Sequence, residues 1–100
     1  MAQPTDVRVE SKNPTNTDLY WSDNGGASNR VYRSTNGSSY SLITTVALGE
    51  EYYRDEDLSI DTKYWYKLSN DAGVGFSDVV TVYTHKARQV ATTRTRYPQF

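Results

Sequence analysis

The chain has no cysteine, one histidine and one methionine among its 100 residues. Without cysteine there is no disulfide and no thiolate metal site, so an apolar core must hold the fold unaided. A lone histidine, His85, leaves a transition-metal centre without enough ligands. No metal or other cofactor is expected. No stretch approaches the ~20 apolar residues of a membrane span, and no membrane partner is expected. The opening Met1-Ala-Gln-Pro-Thr-Asp6 has no basic region and no apolar run, so it does not read as a secretory signal. With Met1 as the natural start, the expectation is a small protein made in a cytoplasm. A piece cut from a longer, extracellular chain is the alternative.

Sustained helical spacing is also missing, and alternation with period two takes its place. Val7 and Val9 alternate with Asp6, Arg8 and Glu10, and Leu19 and Trp21 with Asp18, Tyr20 and Ser22. Asn24-Gly25-Gly26 marks a turn. Asn29 to Thr35 gives a third strand, closed by Asn36-Gly37. Tyr40–Val46, Tyr52–Arg54, Thr62–Ser69 and Val79–Thr84 complete the set. Seven short strands with regular turn signals predict an all-β fold, a seven-stranded antiparallel β-sandwich. Nine tyrosines suit such a thin core, because each brings a large ring with a polar tip.

Leu58 is followed six residues later by Tyr64, which opens the alternating run Tyr64, Tyr66, Leu68. That is the tyrosine-corner arrangement of sandwich domains. Over residues 3–84 the chain resembles the fibronectin type III family. The resemblance is carried by Pro4, Trp21, Val31-Tyr32-Arg33-Ser34, Tyr53-Arg54-Asp55, Leu58 with Tyr64, and Asn70 through Gly75 to Ser77. It implies Trp21 as the central core ring and Tyr64 as the corner tyrosine, its hydroxyl reaching the backbone near Leu58. Asn29 departs from the pattern, standing where the family has an inward apolar residue. Either that corner of the core is thin or the strand is shifted. No Arg-Gly-Asp tripeptide occurs, so that adhesive function is not implied.

Catalytic constellations are poorly represented, and no enzyme activity is expected. His85 lies past the last expected strand, away from any nucleophile that it could serve as base. Glu50, Glu51, Asp55, Glu56 and Asp57 flank a strand without forming a calcium loop, and read as a solvated acidic edge, with Asp55 capping a turn. The Asn70–Gly75 loop joins two strands and opens no helix, so it is a connection needing positive φ rather than a phosphate cradle.

Two features remain for function. With Tyr64, Tyr66 and Leu68 inward, Trp65 and Lys67 face outward, and Tyr32 and Tyr83 join them on one aromatic face beside Arg30. Such a face is common at protein interfaces, could stack on sugars, or could simply stabilise the sheet by cross-strand pairing. The second feature is charge. Residues 1–85 carry twelve acids and seven bases, a net charge of −5, whereas 86–100 carry four bases and no acid. The expected organisation is a sandwich over 1–85 and an extended basic C-terminal arm over 86–100. Arg88, Val90, Arg94, Arg96, Tyr97 and Phe100 are the arm's candidate contact residues, through strand addition and pocket anchoring. A frayed tail is the plain alternative. Nucleic-acid contact is not favoured, because interleaved aromatics are few.

A small sandwich of this kind with a basic arm looks like a bacteriophage virion component. Similar domains decorate capsids, collars, tubes and tail fibres. The resemblance implies a non-enzymatic structural module that docks on capsid, portal or tail subunits in a symmetric multi-copy assembly, located in the virion. A carbohydrate- or surface-binding module of a secreted bacterial protein is the alternative.

Overall fold

The computed structural model describes residues 3–24, 28–70 and 73–85. Their strands are β1 Thr5–Asn13, β2 Asn16–Ser22, β3 Ser28–Ser34, β4 Ser41–Ala47, β5 Tyr52–Asp55, β6 Lys63–Ser69 and β7 Val80–Tyr83. They form a three-stranded sheet ordered β1-β2-β5 and a four-stranded sheet ordered β4-β3-β6-β7, antiparallel throughout. The fold is an all-β, fibronectin type III-like sandwich. The expected arm, 86–100, lies outside the described residues.

The alternation read from the sequence becomes the two faces of each strand. On β6, Tyr64, Tyr66 and Leu68 are buried, while Lys63, Trp65 and Lys67 are half-buried on the opposite side. The buried set joins Leu19 and Trp21 of β2, Val31 of β3, Val46 of β4 and Leu58 in one core between the sheets. Each large side chain taken from water there contributes roughly 1.5–3 kcal/mol. Trp21 is the largest fully buried side chain.

The corner closes as its spacing requires. The Ser59 N–H donates to Tyr64 Oη at 2.9 Å, and Leu58 beside it is buried. Thr84 ties the end of β7 to the same corner. Its hydroxyl donates to the Ser59 carbonyl at 2.7 Å and accepts from the Thr62 N–H at 2.9 Å. β7 runs Val80–Tyr83, one residue shorter at each end than expected, and the Thr84 N–H still donates to the Thr62 carbonyl at 3.0 Å.

Two sequence-level expectations change. Asn29 pairs with Val46 in register and is fully buried, so the strand is not shifted. The corner is filled by an amide whose oxygen and nitrogen find no hydrogen-bond partner among the described residues. Asp55 is not an exposed turn cap. It is 4% exposed and accepts from Arg33 Nη1 at 2.8 and 2.9 Å and from Tyr66 Oη at 2.7 Å. Thr17 Oγ1 lies 2.9 Å from the same Tyr66 Oη. Thr17 and Asp55 belong to one sheet, Arg33 and Tyr66 to the other, so the network bridges the sandwich. A buried carboxylate persists only when paired and hydrogen-bonded, which is what pulls Asp55 out of the acidic edge.

Candidate functional site

The outer face of the four-stranded sheet carries a group of half-buried and exposed aromatic residues. In register, Tyr32 stands opposite Lys67, Ser34 opposite Trp65, and Lys63 opposite Tyr83. The pleat therefore brings Tyr32, Trp65 and Tyr83 to one side together with both lysines of β6. Tyr83 is the most open of the three, at 62% exposed. Arg30 also lies half-buried on β3.

Two cation–π groups divide this face. Lys67 Nζ lies 3.8 Å from the Phe76 ring centroid and 4.3 Å from that of Tyr40, and Tyr32 packs edge-on against Phe76 at 5.2 Å. Lys63 Nζ lies 4.9 Å from the Trp65 centroid and 5.8 Å from that of Tyr83. Each such contact at an exposed site contributes about 0.5–1 kcal/mol. The aromatic rings thus hold two positive charges in place on one face.

Two glycine turns close over the rings. Gly37 has φ 80°, and a Cβ there would stand 3.0 Å from Trp65 Cε2. Gly73 has φ 89°, and a Cβ there would stand 2.9 Å from Tyr32 Oη. Both positions need the left-handed conformation and the close approach that only glycine supplies without strain. The Trp65 indole is therefore met by Lys63 and by the Gly37 turn, and offers no open platform.

Tyr40 and Phe76 belong to the face but were not among the residues singled out from the sequence. Phe76 sits in a connection, where alternation has no meaning, and Tyr40, expected to open the fourth strand, lies just before it, since β4 begins at Ser41. Tyr40 follows the Asn36-Gly37 turn, and Phe76 lies between Gly75 and Ser77, so only the path of each connection brings it over Lys67. Arg88, Val90, Arg94, Arg96, Tyr97 and Phe100 lie outside the described residues.

The outer face of the other sheet is polar and self-contained. Asp18 is opposite Arg54 in register and accepts from Arg54 Nε at 2.9 Å and from Tyr52 Oη at 2.9 Å. The Arg54 hydrogen bond holds the Asp18 carboxyl below the usual carboxylate range, against the opposing effect of burial. Tyr66 is pushed the other way, well above an ordinary phenol, chiefly by burial. Neither arrangement opens onto a cleft. A groove of about 560 Å³ runs between Gln3–Val7 and Phe76–Val80. His85 is exposed, its N–H donating to Ser11 Oγ at 3.1 Å and its carbonyl accepting from the Asp61 N–H at 2.9 Å. Among the described residues, no group of three or more His, Cys, Asp or Glu side chains could hold a metal ion.

Solved structures place this geometry among fibronectin type III domains. The fibronectin type III domain of human contactin 1 superposes with a TM-score of 0.76 at 19% identity, covering 93% of this chain and 85% of that one. The sixth fibronectin type III domain of the human fibronectin type III domain containing protein 3 gives 0.72 at 21% identity, covering 92% of each chain. A structure described as "FN3tt mut" gives 0.65 at 28% identity, covering 86% of this chain and 96% of that one. No family model and no curated protein sequence matches the chain. Domains of this fold are generally non-enzymatic interaction or structural modules.

Proposed function

We propose that the chain is a non-enzymatic structural module of a bacteriophage virion, a capsid-decoration, collar or tail component. It docks on capsid, portal or tail subunits through residues 86–100, with the outer face of the four-stranded sheet as a second contact surface. The observation that carries this reading is a charge contrast along the chain: the basic residues 86–100 carry +4 against −5 for residues 1–85. A segment bearing charge opposite to the body is suited to join one protein subunit to another. Tyr32, Tyr83, Lys63 and Lys67 supply the aromatic and basic groups typical of such contacts. Multi-copy attachment follows when the partner is itself repeated by symmetry.

The glycan-binding alternative needs an open aromatic platform. Lys63 over Trp65 and the Gly37 turn against it weigh against that alternative.

The test is co-sedimentation with particles assembled from the products of the neighbouring reading frames. The full chain is expected to sediment with the particle, and a chain lacking residues 86–100 to stay behind with an unchanged circular dichroism spectrum. A full chain that binds no particle, or neighbouring genes that encode secreted glycan-degrading enzymes, overturns the reading.

A further inference from the structure

Three of the four sheet edges are guarded against the addition of another strand. β1 carries Arg8, Glu10 and Lys12 and is bent near its start, where Asp6 adopts φ 53°. β5 is four residues long and lies between Glu50-Glu51 and Glu56-Asp57. β7 is also four residues long and contacts β1 across the open side of the sandwich. Short strands, charges and bends are the usual protections of an edge.

β4 is neither short nor charged, and its one irregularity falls at Ile43, where Val31 pairs with Thr44 and Tyr32 with Leu42. It is seven residues long, Ser41-Leu-Ile-Thr-Thr-Val-Ala47, and sits inside Ser34–Gly49, which contains no charged residue and no proline. Among the described residues nothing pairs with its outer side. Leu42 on this strand is 47% exposed. A long, uncharged, β-branched edge presents unpaired backbone N–H and C=O groups as a template for one more strand.

We propose that the outer edge of β4 receives residues 89–93 of a second copy of this chain as an added strand. This rests on the reading of residues 86–100 as a docking segment and names the partner as another copy; it does not depend on the virion setting. Gln89-Val-Ala-Thr-Thr93 is uncharged, and three of its five residues are β-branched. It spans about 17 Å when extended, within the ~23 Å length of a seven-residue strand.

Charge is complementary at the ends. Glu50 and Glu51 follow the C-terminal end of β4. An antiparallel added strand brings Lys86 and Arg88 toward them, and a parallel one brings Arg94 and Arg96. Length excludes the same chain as donor. β7 and β4 are opposite edges of one sheet, so a strand outside β4 lies four spacings from β7, about 19 Å. Gln89 comes four residues after His85, a reach of at most about 14 Å.

Because the chain has no cysteine, single cysteines report the contact directly. One preparation carries Thr45→Cys, and three others carry Val90→Cys, Ala91→Cys or Thr92→Cys. Mixing under oxidising conditions is expected to give a disulfide-linked pair of the two different chains for at least one arm position. A crosslink at none of the three overturns the proposal.

Sedimentation of the full chain provides an independent check. Self-association is expected, and should fall by at least about tenfold in Leu42→Lys/Thr45→Lys and in Val90→Pro/Thr92→Pro, since proline and edge lysine both block strand addition. At a concentration where the parent chain is monomeric, the thermal unfolding midpoint should not change. A monomeric full chain overturns the proposal. Association that survives the proline variant means direct β4-to-β4 pairing, and association that survives the lysine variant means an arm held elsewhere; either result overturns it. These measurements contain only this chain, so their failure leaves docking on a particle to be decided by co-sedimentation.

Discussion

Arg33 Nη1 lies 2.8 Å from Asp55 Oδ2, joining the two sheets of the sandwich across 22 positions of sequence. Tyr66 completes the arrangement from a third strand, donating to the same carboxylate oxygen at 2.7 Å. Removing Asp55 takes the carboxylate partner from the half-buried Arg33 and one of two partners from the buried Tyr66 hydroxyl. Asp55→Ala is expected to lower the free energy of unfolding by about 3–5 kcal/mol, measured by urea titration. Arg33→Met combined with Asp55→Leu should recover most of that loss, because an apolar pair of similar volume needs no compensation. A double variant no more stable than Asp55→Ala would remove the ion pair as the cause.

Acid stability should report on Asp18. Its folded pKa lies below the ordinary 3.8, chiefly through the Arg54 hydrogen bond. The carboxylate is thus favoured in the folded state, and its contribution is whole above pH 3.8 and lost as the pH falls toward the folded value. Asp18→Asn should flatten the fall in unfolding midpoint below pH 4 relative to the parent chain. An unchanged acid profile would contradict this.

Alkaline stability should report on Tyr66. Burial raises its pKa above the ordinary 10.0, so the neutral phenol is favoured in the folded state. Its contribution is complete below pH 10 and lost as the pH rises beyond it, when the unfolded chain ionises first. Tyr66→Phe should be less stable at pH 7, since the Asp55 and Thr17 oxygens lose a partner, yet should lose less on going from pH 9 to pH 11. Parallel losses in parent and variant would show that another group governs the alkaline limb.

Gly37→Ala combines a left-handed backbone with a Cβ 3.0 Å from Trp65. A cost of about 1–3 kcal/mol is expected, together with a shift in tryptophan emission as the indole moves. Trp21 is buried in the core and should contribute a constant background. Wild-type stability with unchanged emission would mean that the turn does not seat on the indole.

Tyr83→Ala removes a ring that is 62% exposed and outside the core. Stability is expected to fall by about 0.5–1 kcal/mol, the size of the Lys63 contact that is lost. Binding to a particle should weaken if the sheet face is a contact surface. Undiminished co-sedimentation would confine docking to residues 86–100.

Much of the architecture was legible in the sequence because a pleated strand forces period two. Once Tyr64 is placed inward by its corner with Leu58, parity alone sends Tyr66 and Leu68 inward and Trp65 and Lys67 outward. The same parity put Tyr32 and Tyr83 on the outer face. Asp55 was misread because its partners, Arg33 and Tyr66, come from two strands of the other sheet, and the local acidic run around it looks like a solvated turn. Phe76 was missed because residues in connections obey no parity, and Tyr40 because it was read into a strand that begins only at Ser41.

By itself, then, the sequence determined the strands, the face of each side chain within them and the charge contrast between the body and residues 86–100. These follow from local alternation and composition, which no distant contact can alter. Only the tertiary structure decided which strands become neighbours. That choice buried Asp55 against Arg33, seated Lys67 between Tyr40 and Phe76, and left β4 as the uncharged edge of its sheet. Each depends on surfaces meeting across tens of residues, where burial and charge pairing rather than local pattern set the outcome.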